Sequence, residues 1–434
     1  MAWGKSDRPG LDRLSCRRVS SFRMSRWPTF RIGALEHRNF RLFIVGQFIS
    51  LCGSWMQTVA LSWLVLELTD STLKTGLVTT LGALPVLLLT LYGGTIADRV
   101  NKRRWLIGLQ TLFLLEAIFV GVLALAGRIT VPWIYALALF SGLVSAFEIP
   151  IRQAYLVEMV GKSHLMSAIA LNSSAFNLSR VVGPAFAGLV SAAFGAAACF
   201  FVNAVSFLAV LIGLRLIDPN DMAGPPAGRR AGIRAGLRHV FATPLTRSLV
   251  ALTTTFTLFG ASLIAILPAF ARKELGAEVD GYGGMMSAFG FGAAAGALAL
   301  AWIGQRFPRE RVALASGIGL GVSLLLLGTV PAFSLTMVLL MLTGLTMAVN
   351  AIMTNTILQT TAPDHLRGQI VGLYSFIVIG LAPFGSAQAA WIGEQFGPSR
   401  AIAIGGVVCL LMALRGSWRM GLFARNRIDG VEAS

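Results

Sequence analysis

From Phe40 to the residues before Arg415, the chain is a series of twelve apolar runs separated by short polar loops. Each run is near the roughly 20 residues that an α-helix needs to cross a ~30 Å hydrocarbon slab. In hydrocarbon every backbone N–H and C=O has to be satisfied within the segment, so runs of this kind fold as spanning helices. The centres fall near Cys52, Val86, Leu115, Ser141, Arg180 and Ser206, then near Thr257, Gly292, Gly321, Leu345, Val378 and Gly406. A polar stretch between the sixth and seventh runs carries Gly224, Pro225 and Pro226 with Arg229, Arg230, Arg234 and Arg238, and reads as a linker hugging the membrane surface. The predicted fold is an all-α membrane protein of twelve helices: a basic arm 1–38, a six-helix bundle 39–217, the linker 218–246, a second six-helix bundle 247–424 and a tail 425–434.

A net charge of +17 would point to nucleic acid if the cations surrounded a soluble core. With 55% hydrophobic and 13% charged residues there is no such core, since soluble domains are about 25% charged. The cations sit between the apolar runs. With both termini on one side, thirty of the 36 Lys and Arg fall on that side; Lys74, Arg128, Arg272, Lys273 and Arg400 fall on the other, and Arg180 lies within a run. Short loops rich in Lys and Arg stay in the cytoplasm, so both termini are predicted cytoplasmic in a multi-pass inner or plasma membrane protein. The arm holds nine of these cations and lacks a cleavable signal pattern. Trp27, Phe30, Ile32 and Leu35 within it fit either an interfacial helix on anionic lipid or a disordered basic tail.

Enzyme chemistry finds no purchase. Cys16, Cys52, Cys199 and Cys409 lie far apart and read as packing residues. His37, His164, His239 and His365 all fall near the cytoplasmic face, and the chain has neither a phosphate loop nor a nucleophile elbow. No cofactor, metal or nucleic-acid partner is expected; the partners are a small-molecule substrate and membrane lipids, and the chain is expected to be a monomer.

Ionisable groups inside the slab are costly and are site hypotheses by default. Glu148 and Arg152 are i and i+4 on run four, hence on one face and able to pair. Arg180 at the centre of run five needs an anion, carbonyls or water, and Glu148 is its expected partner. Glu148 reads either as a proton carrier, whose proton affinity the conformation sets, or as half of a fixed ion pair. Glu116 on run three is a weaker candidate for the same role. Polar residues also recur at helical spacing: Gln47, Ser50, Ser54, Thr58 and Ser62; Ser141, Ser145, Glu148 and Arg152; Thr254, Thr257 and Ser262; Thr343, Thr346, Asn350 and Thr354. Each set keeps to one helix face, as a cavity lining or as interhelical glue.

The two halves resemble each other: Ala97-Asp-Arg-Val-Asn-Lys-Arg-Arg104 aligns with Gly304-Gln-Arg-Phe-Pro-Arg-Glu-Arg311, His164 with His365, and Pro184 with Pro383. Two six-helix repeats joined by a cytoplasmic linker are the organisation of alternating-access transporters, with substrate bound at the repeat interface near the midplane.

The loop Gly94-x-x-x-Asp98-Arg99-x-x-Lys102-Arg103 resembles the helix 2–3 loop of major facilitator superfamily transporters, although Asn101 and Lys102 stand where that pattern usually has Gly and Arg. Over residues 38 to 424 the chain is similar to the enterobactin-exporter-like and macrolide-efflux-like branch. The residues carrying this are Asn39-Phe-Arg-Leu-Phe43, Pro150-x-Arg152-Gln-Ala154, Asn177-Leu-Ser-Arg180-Val-Val-Gly183-Pro184, Arg367-Gly368 and Gly380-Leu-Ala-Pro383-x-Gly385. The resemblance implies that Asp98 latches helix 11 of the other half in the outward-facing state, with Lys102 or Arg103 bound to Glu158. Gly183, Pro184 and Gly188 resemble the helix 5 motif of drug/proton antiporters, as a hinge or as packing. Helices 1, 4, 7 and 10 are those that line the superfamily's central cavity, which makes Gln47, Ser54, Trp55, Thr58, Ser145, Phe147, Thr254, Thr257, Thr346, Asn350 and Thr354 the expected lining; helix 3, with Glu116, is peripheral. The expected function is export of hydrophobic or amphipathic small molecules (drugs, macrolides or siderophores), driven by the proton gradient as an antiporter. An importer of a small metabolite and a non-transporting sensor or scaffold are the alternatives.

Overall fold

The computed structural model describes Met1 and residues 33–218, 244–303, 307–330, 332–363 and 366–431. Most of the basic arm, most of the linker, Gln305 and His365 lie outside the described residues. The described chain is helical, in two pseudo-symmetric sets of six. The first set is α1 (Arg38–Thr69), α2 (Thr72–Ala97), α3 (Lys102–Leu125), α4 (Val131–Gly161), α5 (162–194) and α6 (Ala196–Leu216). The second is α7 (Pro244–Leu275), α8 (Val279–Ile303), α9 (Arg309–Thr329), α10 (Phe333–Thr361), α11 (Arg367–Ser375, Phe376–Gly380 and Ala382–Phe396) and α12 (Pro398–Val431). Eleven of these contain a stretch long and apolar enough to span a membrane, and α5, which carries Arg180, is the twelfth member of the bundle. The chain is therefore a multi-pass membrane protein.

Local chemistry sets the breaks. Ser71 caps α2 by accepting from the Lys74 N–H at 3.2 Å, and Asn101 caps α3 by accepting from the Arg104 N–H at 3.1 Å. Pro132 and Pro398 open α4 and α12, where a missing N–H costs nothing. Between α4 and α5 the helix breaks at Gly161 alone, at φ 66° and ψ −177°, a conformation only glycine adopts without strain. Single π-turns interrupt α7 at Phe256–Gly260 and α11 at Phe376–Gly380.

The two sets meet along α5–α8 and α2–α11. Small residues permit the first contact: a Cβ on Gly290 would lie 2.5 Å from the Arg180 carbonyl, and one on Gly283 would lie 2.6 Å from the Pro184 carbonyl. The second is hydrogen-bonded at the end bearing the 69–71 connection. There Ser71 and the Leu73 N–H donate to Glu394 at 2.9 and 3.1 Å, Lys273 donates to the Asp70 carbonyl at 2.7 Å, and Arg272 to the Leu66 carbonyl at 3.2 Å. At the opposite end, which carries the basic 98–104 loop, Gly94 of α2 and Gly372 of α11 have open space where a Cβ would sit. Among the described residues, α2 and α11 are joined at the first end and parted between Gly94 and Gly372 at the other.

Candidate functional site

Within the first six helices, α1, α2, α3, α4 and α6 enclose a polar cavity of about 360 Å³. Two stripes anticipated from helical spacing face it: Gln47, Ser54 and Thr58 of α1, and Ser145, Glu148 and Arg152 of α4. Two carboxylates enter from different sides. Glu148 Oε1 accepts from Arg152 Nε at 2.8 Å and from Gln110 Nε2 at 3.4 Å. Glu116 accepts from Gln57 Nε2 at 3.0 Å on each oxygen, and Gln57 Oε1 in turn accepts from Asn203 Nδ2 at 2.7 Å. One acid is thus matched by a cation and the other by neutral amides. Gln47 Oε1 and Gln110 Oε1 are buried acceptors with no protein donor among the described residues, so the cavity presents unfilled demand for hydrogen-bond donors.

Two sequence expectations are corrected here. Glu116 is not peripheral: its side chain is 5% exposed and turned toward α1 and α6, because the apolar face of α3 takes the lipid side and leaves Gln110 and Glu116 facing inward. Arg180 does not pair with Glu148. Its guanidinium carbon lies 5.4 Å from the Trp55 ring centroid and 5.2 Å from that of Phe289, because α5 turns this position to the seam with α8, whereas Glu148 points into the first bundle.

The second-half stripe is mostly glue. Asn350 Nδ2 donates to the Ala313 carbonyl of α9 at 2.7 Å, Thr343 donates to Ser323 at 3.0 Å, and Thr346 packs where a Cβ on Gly319 would lie 2.9 Å away. Thr354 is fully buried. Thr343, Thr346 and Asn350 bind α10 to α9 rather than forming an open wall, so Thr346 and Asn350 are corrected to packing positions, while the buried Thr354 hydroxyl has no partner among the described residues. Thr257 is buried on the α7 π-turn, against Gly385 of α11, and Thr254 is half-buried one turn away. Phe147 meets Tyr92 edge-on at 6.4 Å, and Trp55 meets Phe176 at 6.1 Å.

At the parted end, Lys102 Nζ lies 2.7 Å from Glu158 Oε1, with both side chains largely buried. Arg103 instead donates to the Leu214 and Arg215 carbonyls at 2.7 and 2.8 Å, where a cation meets the negative end of α6. Asp98 is exposed at the C-cap of α2, beside Arg99, below Gly94. In α5, Gly183 lies against the Cys52 carbonyl and Trp55 of α1, Pro184 turns its carbonyl to Gly283, and Gly188 meets the Asp280 backbone, so the motif packs α5 against both halves. Sequence reasoning missed Gln57, Gln110, Asn203 and Glu394. The first three carried a usable signal, being amides inside apolar runs; Glu394 lay at a run's end and carried none.

The transmembrane secretion effector family model matches residues 30–429. The multidrug efflux pump Tap of Mycolicibacterium fortuitum is 29% identical over 356 residues, covering 80% of this chain and 87% of that protein. The staphyloferrin A transporter of Staphylococcus aureus is 25% identical over 86% and 94% of the two chains. The enterobactin exporter EntS of Escherichia coli O1:K1 is 26% identical over 87% and 91%. Among solved structures, a bacterial homolog of the human lysosomal transporter Spinster, inward-facing and unoccupied, superposes with a TM-score of 0.67 at 16% identity, covering 92% of this chain and 98% of that one. A POT family transporter in complex with a thioalcohol-conjugated peptide gives 0.71 at 11%, over 90% and 96%. With the fold, the parted bundle and a family match over nearly the whole chain, this protein belongs to the transmembrane secretion effector family of major facilitator transporters.

Proposed function

We propose that the chain is a proton-coupled exporter of amphipathic small molecules, drugs or siderophores among them, in the inner membrane with both termini cytoplasmic. The halves 39–217 and 247–424 rock against each other about the α5–α8 and α2–α11 seams. On the orientation given by the basic loops, the parted end is cytoplasmic and the described state is inward-open. The observation that carries the reading is the pair of carboxylates in the first-half cavity, Glu148 held by Arg152 and Glu116 held by Gln57. A carboxylate whose cation or amide partner shifts as α1 and α4 move takes up a proton in one state and releases it in the other. The relatives' efflux and siderophore names support the direction of flux.

The test uses inverted vesicles holding a pH-sensitive dye, energised and then exposed to a panel of amphipathic compounds. Antiport predicts that a substrate dissipates the gradient. Glu148→Gln abolishes this in a protein that still inserts, and Glu116→Gln shifts its pH dependence. Transport by Glu148→Gln with the wild-type pH profile overturns the carrier assignment, and uptake of solute in the opposite direction replaces export by import.

A further inference from the structure

We propose that Arg180 is an oxyanion-recognition point at the seam of the two halves, and that the transported molecule carries a carboxylate or similar planar oxyanion on an aromatic or apolar body. Arg180 lies fourteen residues from the end of α5 at Phe194, about 21 Å along the helix at 1.5 Å per residue, near the middle of α5. A guanidinium stays charged at that depth and needs an acceptor. Among the described residues it donates no hydrogen bond and joins no ion pair: Glu148 is taken by Arg152, Glu158 by Lys102, and Glu116 by Gln57. Its neighbours are instead two rings, Trp55 from the first half and Phe289 from the second. Rings stabilise the cation but satisfy none of its five N–H donors in a conventional hydrogen bond, so the planar fork is left for a bidentate acceptor.

Access comes from the parted end. Ser173, Phe176, Asn177 and Arg180 share one face of α5 by their spacing, and Ser173 and Phe176 are exposed. Phe176 lies edge-on to Trp55 at 6.1 Å, so an anion reaching Arg180 lays its body along Phe176 and Trp55, with the buried Phe289 backing the guanidinium from the other half. Neither Arg180 nor Trp55 lines the cavity that holds Glu116 and Glu148, which keeps the substrate anion apart from the coupling acids. Phe289 belongs to α8, so the pocket is completed by both halves and changes when they rock.

This site rests on the transport reading, and the experiment separates the two. Purified full-length protein in nanodiscs is titrated near neutral pH with salicylate, methyl salicylate and benzylamine. Salicylate is expected to bind at least about ten-fold more tightly than its neutral ester or the amine. Arg180→Gln is expected to lose about ten-fold or more of salicylate affinity, and Arg180→Lys, which keeps the charge without the fork, to fall between. The acid-against-ester comparison on the wild type needs no variant and stands even where Arg180→Gln misfolds. Absence of salicylate binding at millimolar concentration, equal binding of acid and ester, or wild-type affinity in a folded Arg180→Gln each overturns the proposal. Glu148-dependent proton flux indifferent to substrate charge removes the anion site and keeps the exporter; anion binding without flux does the reverse.

Discussion

Glu394 is the carboxylate to remove first. It stands near the end of α11 and accepts from Ser71 Oγ and the Leu73 N–H, which belong to the N-terminus of α2 in the other half, so it meets the positive end of a helix dipole across the closed seam. The carboxylate is exposed, which places the charge–dipole part at about 1 kcal/mol. Glu394→Gln keeps an acceptor and removes the charge, so the open-to-closed ratio at this end should rise about five-fold; Glu394→Ala also removes the hydrogen bonds and, at about 2 kcal/mol, should raise it about thirty-fold. The reporter is Ser386→Cys in a chain whose Cys16, Cys52, Cys199 and Cys409 are replaced. Ser386 is 6% exposed on α11, and its backbone faces Gly76 of α2, so an impermeant maleimide reaches it only when the seam parts. Labelling rates should follow the order Ala, Gln, wild type. Equal rates, or a Ser71→Ala effect that adds fully to Glu394→Ala, would show that the Ser71–Glu394 contact carries no closing energy.

Three further outcomes are expected. Lys102→Gln and Glu158→Gln should each lower the unfolding temperature in detergent, and the double variant should be no worse than the poorer single, with a coupling of about 1–2 kcal/mol in the cycle, since the pair is largely buried. Gly161→Ala should destabilise by about 1–3 kcal/mol through its backbone conformation alone, read by thermal unfolding. Gly292→Ala should unfold far more easily than wild type, because its Cβ would overlap the Met341 carbonyl and part α8 from α10, whereas Gly108→Ala, with open space at its Cβ, should be neutral in the same assay.

What the sequence made legible was whatever lies within one helix or one loop. Apolar length marked the helices, although Gly161 is so slight a break that α4 and α5 run on almost without interruption. The Glu148–Arg152 pair follows from i, i+4 spacing, whereas Glu158 as a partner of Lys102 or Arg103 came from the family resemblance, and the structure selects Lys102. Contacts that depend on how three helices are rotated about their own axes were not legible. Gln57, Glu116 and Asn203 sit on α1, α3 and α6, and periodicity alone does not say which face of α3 turns inward. The same limit misdirected Asn350, whose stripe is real but faces α9. Arg180 was marked by its depth, yet its ring partners come from two different halves, a relation that no local pattern encodes.

The α2–α11 seam joins these strands. The helices run in opposite directions, α2 from the closed end to the parted end and α11 the reverse, and each ends near an acid, Asp98 or Glu394. Glu394 engages the α2 N-terminus in the described state; Asp98 is proposed to engage the α11 N-terminus when the other end closes. As rocking closes one end it parts the other, so the two contacts compete. Each is worth about 1 kcal/mol, so on this proposal their contributions to the state ratio nearly cancel. A deep minimum for either state would stall the cycle. Asp98→Asn alone should therefore favour the inward-open state about five-fold and Glu394→Gln alone the outward-open state by a similar factor, while the double variant should return to within about two-fold of the wild-type ratio, all measured by Ser386→Cys labelling. A double variant that labels like Glu394→Gln alone would mean that Asp98 bears no share of the balance and that the loop serves only to fix the orientation of the chain in the membrane.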